Sequence, residues 1–161
     1  MRKFEKVSRE VFERDVVDGN YDSIILPKRG TKASAGYDFV SPISFMLKPG
    51  ESKVVPTGIK AMMNNDEFLG IYIRSSLGFK YNIRMCNQVG IIDADYYNNE
   101  ENEGHIFVKI KNEGEKEVSI NVGDRIVQGI FTKFLLTDDD SATEERLGGI
   151  GSTNKGDDYN E

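Results

Sequence analysis

Residues 105–122, HIFVKIKNEGEKEVSINV, decide the fold class of this chain. Residues 105–111 alternate imperfectly between apolar and polar side chains, and residues 118–122 alternate cleanly, which is typical of β-strands with one buried face. The polar, glycine-containing residues 112–115 between them predict a turn. The stretch therefore predicts two short strands with a turn between them.

Short apolar runs of the same kind recur along the chain, at residues 23–27, 45–50, 54–58 and 68–73. Turn residues separate them, and this spacing predicts many short strands in a sandwich or barrel. Helix is scarce. Residues 9–17 predict one short helix capped by Ser8, with Val11, Phe12 and Val16 on one face. Residues 75–81 predict one or two further helical turns.

Composition limits the classes of function. The 161 residues fit one domain, and the net charge of −6 argues against general nucleic-acid binding, which needs a basic surface. No apolar run approaches the ~20 residues that span a bilayer, and the first residues lack the apolar core of a signal peptide, so we expect a cytoplasmic protein without membrane contact. A single cysteine and a single histidine exclude an intrachain disulfide and a His/Cys zinc site.

The composition changes near the C-terminus. Residues 137–145 are acidic and predict a linker, and the glycine-rich and polar residues beyond them are too polar to bury themselves. We therefore expect a folded β domain over residues 1–145 and a flexible tail over residues 146–161.

Two clusters in the first half of the chain have groups that suit phosphates and their counterions. In residues 33–39, Gly36 allows close backbone approach and Asp38 is a candidate contact for a hydrated magnesium ion. A turn with an exposed acid is the alternative. In residues 74–78, Arg74, Ser75 and Ser76 follow an apolar run and offer a guanidinium, hydroxyls and free N–H groups to a phosphate. The alternative is an N-capped helix after a strand.

The third cluster, residues 87–96 (NQVGIIDADY), runs from an apolar strand into two acids and an aromatic residue. Asp93 is the candidate general base for a water molecule, and Tyr96 is placed to pack against a sugar and leave no room for an extra hydroxyl. The alternative is a strand end followed by an Asp-rich turn.

Two weaker clusters follow. In residues 123–128, Ile126 and Val127 suggest core, and the Gln128 amide is the candidate polar contact. The alternative is a turn into a strand, with Asp124 and Arg125 as a surface pair. Residues 146–154 (RLGGIGSTN) expose glycine N–H groups that suit anions. They lack the Gly-Lys-Ser/Thr ending of a Walker A loop, and a flexible tail is the alternative.

Taken in order, the five clusters closely resemble the five motifs of the trimeric all-β dUTP pyrophosphatases, the dUTPases, from about residue 23 to residue 154. The resemblance implies a jelly-roll-like β-barrel or sandwich that hydrolyses dUTP to dUMP and pyrophosphate with Mg²⁺. It also implies a homotrimer whose sites are shared between subunits.

The resemblance also implies a role for each matching residue. Asp93 resembles the acid that activates water, and Tyr96 the aromatic that excludes a 2′-hydroxyl. Asp38 resembles the acid that contacts magnesium through water. The remaining matches resemble substrate-binding positions: the uracil-reading hairpin at Asn87, Gly90, Ile91 and Ile92; the phosphate contacts at Arg74, Ser75, Ser76 and Gln128; and the closing tail at Arg146, Ile150, Gly151 and Ser152.

Four features depart from the family pattern. Ile73 replaces a proline, and Asn98 replaces a glycine at the start of an apparent insertion, residues 98–104. Ile150 replaces a phenylalanine that stacks on uracil. Arg146 lies one residue nearer the paired glycines than usual. Two rival functions stay open at this point: a dCTP deaminase-like enzyme of the same fold, and a non-catalytic regulator that senses nucleotides.

Overall fold

The computed structural model describes residues 1–151. This part of the chain contains twelve β-strands, two α-helices and two short 3-10 helices. The strands are β1 (Lys3–Lys6), β2 (Lys28–Arg29), β3 (Tyr37–Val40), β4 (Phe45–Leu47), β5 (Ser52–Pro56), β6 (Ile59–Met62), β7 (Glu67–Ile73), β8 (Ile83–Met85), β9 (Gly90–Asp93), β10 (Phe107–Asn112), β11 (Val118–Ile120) and β12 (Arg125–Lys133). The helices are α1 (Arg9–Asp15) and α2 (Ser75–Tyr81), and the 3-10 helices are Tyr21–Ser23 and Ala94–Tyr96. The predicted all-β class is confirmed.

The strands pair antiparallel in four sheets. The largest has the order β2-β3-β12-β7-β9, and a second has the order β5-β10-β8. Two further pairs, β1-β6 and β11-β4, complete the set. Because neighbouring strands are mostly distant in sequence, the connections cross between sheets, as in a jelly roll. The nine-residue strand β12 lies at the centre of the largest sheet, and β9 forms one of its edges.

The two strands predicted from residues 105–122 are both present, but they do not pair with each other. β10 pairs with β5 and β8, and β11 pairs with β4. Asn112 explains the change of direction. Its buried side-chain amide donates to the carbonyls of Leu47 and Lys116, both at 2.8 Å, and its side-chain oxygen accepts from the Gly114 N–H at 2.9 Å. The predicted turn thus leads the chain from one sheet to another.

One predicted strand is wrong. Residues 23–27 are not a strand; the 3-10 helix Tyr21–Ser23 leads into extended chain without a ladder. Asn20 starts that helix, since its side chain accepts from the Asp22 N–H at 3.0 Å. Ile24 and Pro27 of the run are buried, whereas Ile25 and Leu26 are exposed. A short apolar run does not by itself supply a pairing partner.

Both predicted helices are confirmed. Ser8 caps α1, because its hydroxyl oxygen accepts from the Val11 N–H at 3.2 Å. The helix buries Val11 and Phe12 in the main hydrophobic core. α2 follows β7 directly and ends at Asn82, which adopts the left-handed conformation with φ of 53°. No helix within residues 1–151 is long and apolar enough to cross a membrane.

A bulge in β12 shapes the middle of the largest sheet. The register against β3 shifts between Arg125 and Val127, so the consecutive residues Ile126 and Val127 are both fully buried. Bulges redirect side chains without ending a strand. Ile126 and Val127 therefore belong to the core, as predicted, while Arg125 and Gln128 remain available at the surface of the sheet.

Candidate active site

The carboxyl end of β9 holds the residues for which the sequence predicts catalysis. Gly90 begins the strand opposite Ile71, and a Cβ at position 90 would lie 3.1 Å from the Ile71 Cβ. Asp93 ends the strand and precedes the 3-10 helix Ala94–Tyr96, yet its carboxylate makes no capping hydrogen bond. This short helix brings the Asp93 carboxylate and the Tyr96 ring to the wall of one cavity.

This cavity has a volume of about 250 Å³. It unites most of the residues predicted from the third and fifth clusters, and we call it the β9 cavity. Its apolar floor includes residues for which the sequence predicted no site role, Ile71, Met85 and Phe107, because as alternating strand residues they look like ordinary core. The lining residues are Ile71, Met85, Asn87, Gly90, Ile91, Ile92, Asp93, Tyr96, Phe107, Arg146, Ile150 and Gly151.

Tyr96 is held rigidly from its hydroxyl end. The side chain is 5% exposed, and its O–H donates to the His105 carbonyl oxygen at 2.7 Å. The same oxygen accepts from the Asn102 amide at 2.9 Å. Burial raises the pKa of Tyr96, so the phenol stays protonated and keeps both bonds. The ring therefore forms a fixed wall of the cavity.

Arg146 connects the tail to this cavity. Its Nη2 lies 2.7 Å from Asp93 Oδ2, and its Nε lies 2.8 Å from Asp95 Oδ1. The guanidinium carbon lies 5.7 Å from the centre of the Tyr96 ring. The Arg146 side chain is only 11% exposed, whereas both carboxylates are about half exposed. Because water screens such carboxylates, each ion pair is weak and open to exchange.

A second cluster lies on β3, β12 and the start of α2. Asp38 is 8% exposed, forms an ion pair with Arg74, and faces Gln128 across the β3–β12 ladder. Gly36 makes room for that glutamine, since a Cβ at position 36 would lie 2.3 Å from the Gln128 side-chain oxygen. We call Asp38, Arg74, Gln128 and the neighbouring Ser75 and Ser76 the β3–β12 cluster. Three of the sequence-predicted clusters thus meet here.

Arg125 also belongs to this cluster, and its interpretation as the surface partner of Asp124 is wrong. Arg125 Nη1 lies 3.3 Å from Asp38 Oδ2. Asp124 instead accepts from the Asn121 N–H at 2.8 Å and closes the preceding turn. The bulge in β12 turns Arg125 toward β3, and no sequence signal had marked that bulge.

The β3–β12 cluster suits an anion and its counterion. Arg74 Nε is buried and has no hydrogen-bond partner within residues 1–151, so a donor is available for an added acceptor. The same described residues contain no group of three or more His, Cys, Asp or Glu side chains placed to hold a metal. Asp38 alone fits a contact through water to an ion that a phosphate ligand brings with it. That contact stays a prediction.

The two groups of residues line different depressions. A groove beside the β3–β12 cluster is lined by Arg74, Ser76 and Arg125 among others, and shares no lining residue with the β9 cavity within residues 1–151. Ser152, for which the sequence also predicted substrate binding, lies outside the described residues. Within one chain, the predicted site residues therefore form two separate groups, the β9 cavity and the β3–β12 cluster.

Comparison with known proteins identifies the family. The family model for dUTPase matches residues 22–154, which is most of the chain.

The chain belongs to the dUTPase family.

Similar sequences and structures carry the same family name. A deoxyuridine 5'-triphosphate nucleotidohydrolase from Lactococcus lactis subsp. lactis is 48% identical over 132 residues, covering 81% of this chain and 88% of that protein. The protein of the same name from Haemophilus influenzae is 36% identical over 138 residues, covering 81% and 87%. The crystal structure of a dUTPase from Streptococcus mutans has a TM-score of 0.70 and 41% identity, covering 84% of this chain and 98% of that one.

A more distant structure shares the fold. A mutant dUTPase from phage phi11 of S. aureus has a TM-score of 0.68 at 19% identity, and covers 89% of this chain and 97% of its own. That structure reveals how a structural Mg(II) ion is coordinated in the phage protein. At this identity the likeness shows the fold alone.

The departures from the dUTPase pattern have local explanations. Asn98 adopts φ of 56°, a left-handed conformation that asparagine tolerates better than most residues, so it can replace a glycine. Ile73 ends β7 opposite Val127, and the Arg74 N–H then donates to the Ile126 carbonyl at 3.2 Å. Ile150 lines the β9 cavity although it is 71% exposed. Arg146 reaches that cavity despite its altered spacing.

Proposed function

We propose that this chain hydrolyses dUTP to dUMP and pyrophosphate, and that Asp93 activates the attacking water. The observation that carries the mechanism is the Asp93 carboxylate at the wall of the β9 cavity, beside the fixed Tyr96 ring. A carboxylate within hydrogen-bond reach of a water orients it and takes its proton. The names of the relatives supply the substrate, since those proteins are deoxyuridine triphosphate nucleotidohydrolases.

Selection of the base follows from the polar edge of the cavity. The uracil would lie on the floor formed by Ile71, Met85 and Phe107, with its edge toward the Asn87 side chain and the backbone of β9. A cytosine would oppose donors to donors there, and each unmatched buried group costs about 1–3 kcal/mol. The Tyr96 ring would leave no room for a ribose 2′-hydroxyl. An apolar pocket without such a barrier rejects an added hydroxyl by only about 10²-fold.

Phosphate binding would use the β3–β12 cluster of a neighbouring subunit. Arg74 has an unpartnered buried Nε, and Ser75, Ser76 and Gln128 add further polar groups. Because this cluster and the β9 cavity line different depressions of one chain, a complete site needs a second copy. We infer a homotrimer with shared sites. The exposed Leu135, which is 96% accessible in the single chain, is an apolar residue available for such a contact.

Substrate binding would also release the catalytic base. The Arg146 guanidinium binds two half-exposed carboxylates, one of them Asp93. A triphosphate can compete for that guanidinium, since arginine forms charge-assisted bidentate pairs with phosphate as well as with carboxylate. Transfer of Arg146 to the phosphates would leave Asp93 free to accept a proton and would bring the tail, with Ile150 and Gly151, over the substrate. A magnesium ion bound with the triphosphate, contacted by Asp38 through water, would neutralise developing negative charge.

The test is Asp93→Asn, assayed for pyrophosphate release from dUTP. Loss of a general base typically costs about 10²–10⁴-fold in kcat, and binding of a non-hydrolysable dUTP analogue is expected to survive. Asp95→Asn is the matched control, because it removes the other carboxylate from Arg146 without removing the base, and its loss of kcat should be much smaller. Full turnover by Asp93→Asn would place the base elsewhere. Ammonia release from dCTP would favour the deaminase instead.

A further inference from the structure

Residues 98–104, which look like an insertion relative to the dUTPase pattern, form a tightly bonded loop. We call it the asparagine loop. The Asn99 amide donates to Asn102 Oδ1 at 2.7 Å, and Asn99 Oδ1 accepts from the N–H groups of Glu101 and Asn102, each at 3.1 Å. Asn99 and Asn102 are 8% and 6% exposed. Side chains that satisfy their own backbone in this way give a loop one conformation.

The loop is also fastened to the body of the protein. Lys60, on β6, donates to Asn98 Oδ1 at 2.7 Å and lies 3.3 Å from the Glu103 carboxylate. Glu103 in turn accepts from the Ser8 N–H at 2.9 Å. Both ends of the asparagine loop are therefore held by elements outside it, and the loop can support other groups.

Two of its residues extend toward the β9 cavity. Asn102 donates to the Tyr96 hydroxyl at 2.9 Å. Glu101 Oε2 accepts from the Gly149 N–H at 2.6 Å, and Gly149 belongs to the tail. A Cβ at position 149 would lie 3.1 Å from both Glu101 Oε2 and Asn102 Nδ2. Gly149, three residues after Arg146, thus lies directly on the loop.

We propose that the asparagine loop docks the tail, and that Glu101 is a positioning residue for dUTP hydrolysis. This inference rests on the proposed function. The Glu101 carboxylate fixes the tail backbone at Gly149 and so keeps Arg146 beside Asp93 and the Tyr96 ring. Residues 146–149 that are already docked lose less conformational freedom when Arg146 binds a substrate, which lowers the cost of binding.

The first test measures docking without turnover. The Arg146 side chain is 11% exposed while it is paired with its carboxylates, so we expect trypsin to cleave after it mainly when those contacts open. The next residue, Leu147, is already 78% exposed. In nucleotide-free protein, Glu101→Ala is expected to raise the cleavage rate of the 146–147 bond by about threefold to fivefold, the size that an exposed charged contact supplies. Mass spectrometry of the released tail follows this one bond.

Two variants serve as controls. Glu101→Gln keeps an acceptor oxygen for the Gly149 N–H and should restore most of the protection. Glu100→Ala removes the neighbouring carboxylate, for which no hydrogen bond exists among residues 1–151, and should be cleaved like the wild type. Equal cleavage of Glu101→Ala and Glu100→Ala would overturn the docking role, whatever the outcome of the Asp93 experiment.

The second test is kinetic. If Glu101 positions the tail, Glu101→Ala lowers kcat/KM for dUTP by a similar factor, Glu101→Gln recovers it, and the thermal midpoint of all three proteins stays the same. A fall in the midpoint that parallels the fall in kcat/KM, without recovery by Glu101→Gln, would make the role merely structural and would also overturn the proposal. Neither result depends on which residue is the base.

Discussion

Replacing Tyr96 by Phe separates two contributions of this residue: the hydrogen bonds of its hydroxyl, which stabilise the fold, and its ring, which we propose excludes a 2′-hydroxyl. The change removes an oxygen that donates to the His105 carbonyl at 2.7 Å and accepts from the Asn102 amide at 2.9 Å. His105 is fully buried and Asn102 is 6% exposed, so two buried groups lose their partner. Each unsatisfied group costs about 1–3 kcal/mol. At the low end of that range, the two groups together correspond to a loss of about 2 kcal/mol.

This loss corresponds to a fall of about 4–8 °C in the thermal midpoint, measured at fixed protein concentration by calorimetry or circular dichroism. Tyr97→Phe is the matched control, since the Tyr97 hydroxyl bonds to Glu5 at a partly exposed position and its loss should matter less. Tyr96→Phe should still reject the ribose of UTP as the wild type does, because the aromatic ring remains. Tyr96→Ala should raise the relative kcat/KM for UTP by about tenfold or more.

The thermal midpoint and the discrimination against UTP test these two contributions independently. An unchanged midpoint in Tyr96→Phe would mean that the buried groups find other partners. A loss of discrimination against UTP in Tyr96→Phe would assign selection to the hydroxyl instead of the ring.

Two further predictions concern the five-stranded sheet that contains β7 and β12. Arg2, through its hydrogen bonds, lowers the pKa of Glu67 to about 2. The contact therefore stabilises the fold above the ordinary pKa of 4.5, and this stability is lost as pH falls from 4.5 toward 2. Glu67→Gln should thus lower the free energy of unfolding at neutral pH, as measured by denaturant titration. The difference from the wild type should vanish near pH 2. A difference that does not change with pH would refute the link between the Glu67 pKa and stability. Gly36→Ala should displace Gln128 and raise KM for dUTP by about tenfold, the effect of one hydrogen bond to a charged group, while Gly30→Ala, whose nearest neighbour is Asp38 Oδ2 at 3.8 Å, should not.

Most of the regular structure could be predicted from local sequence. The Ser8 cap, the helix at residues 75–81 and the alternating strands before and after Asn112 depend on interactions between near neighbours, which a sequence displays directly. The failed strand at residues 23–27 marks the limit of that approach. An apolar run becomes a strand only when another strand offers its hydrogen bonds, and that partner is chosen elsewhere in the chain.

The sequence by itself determined the all-β class, the family and the chemical types of the site residues, because motif order and spacing are properties of the linear chain. Only the tertiary structure decided which of those residues meet. It paired Asp38 with Arg74 and Arg125, which are 36 and 87 positions away, and set Gly149 on Glu101, 48 positions away. Such contacts depend on strand register, on a bulge in β12 and on loop closure, and their energies arise only when the distant segments have already been packed together.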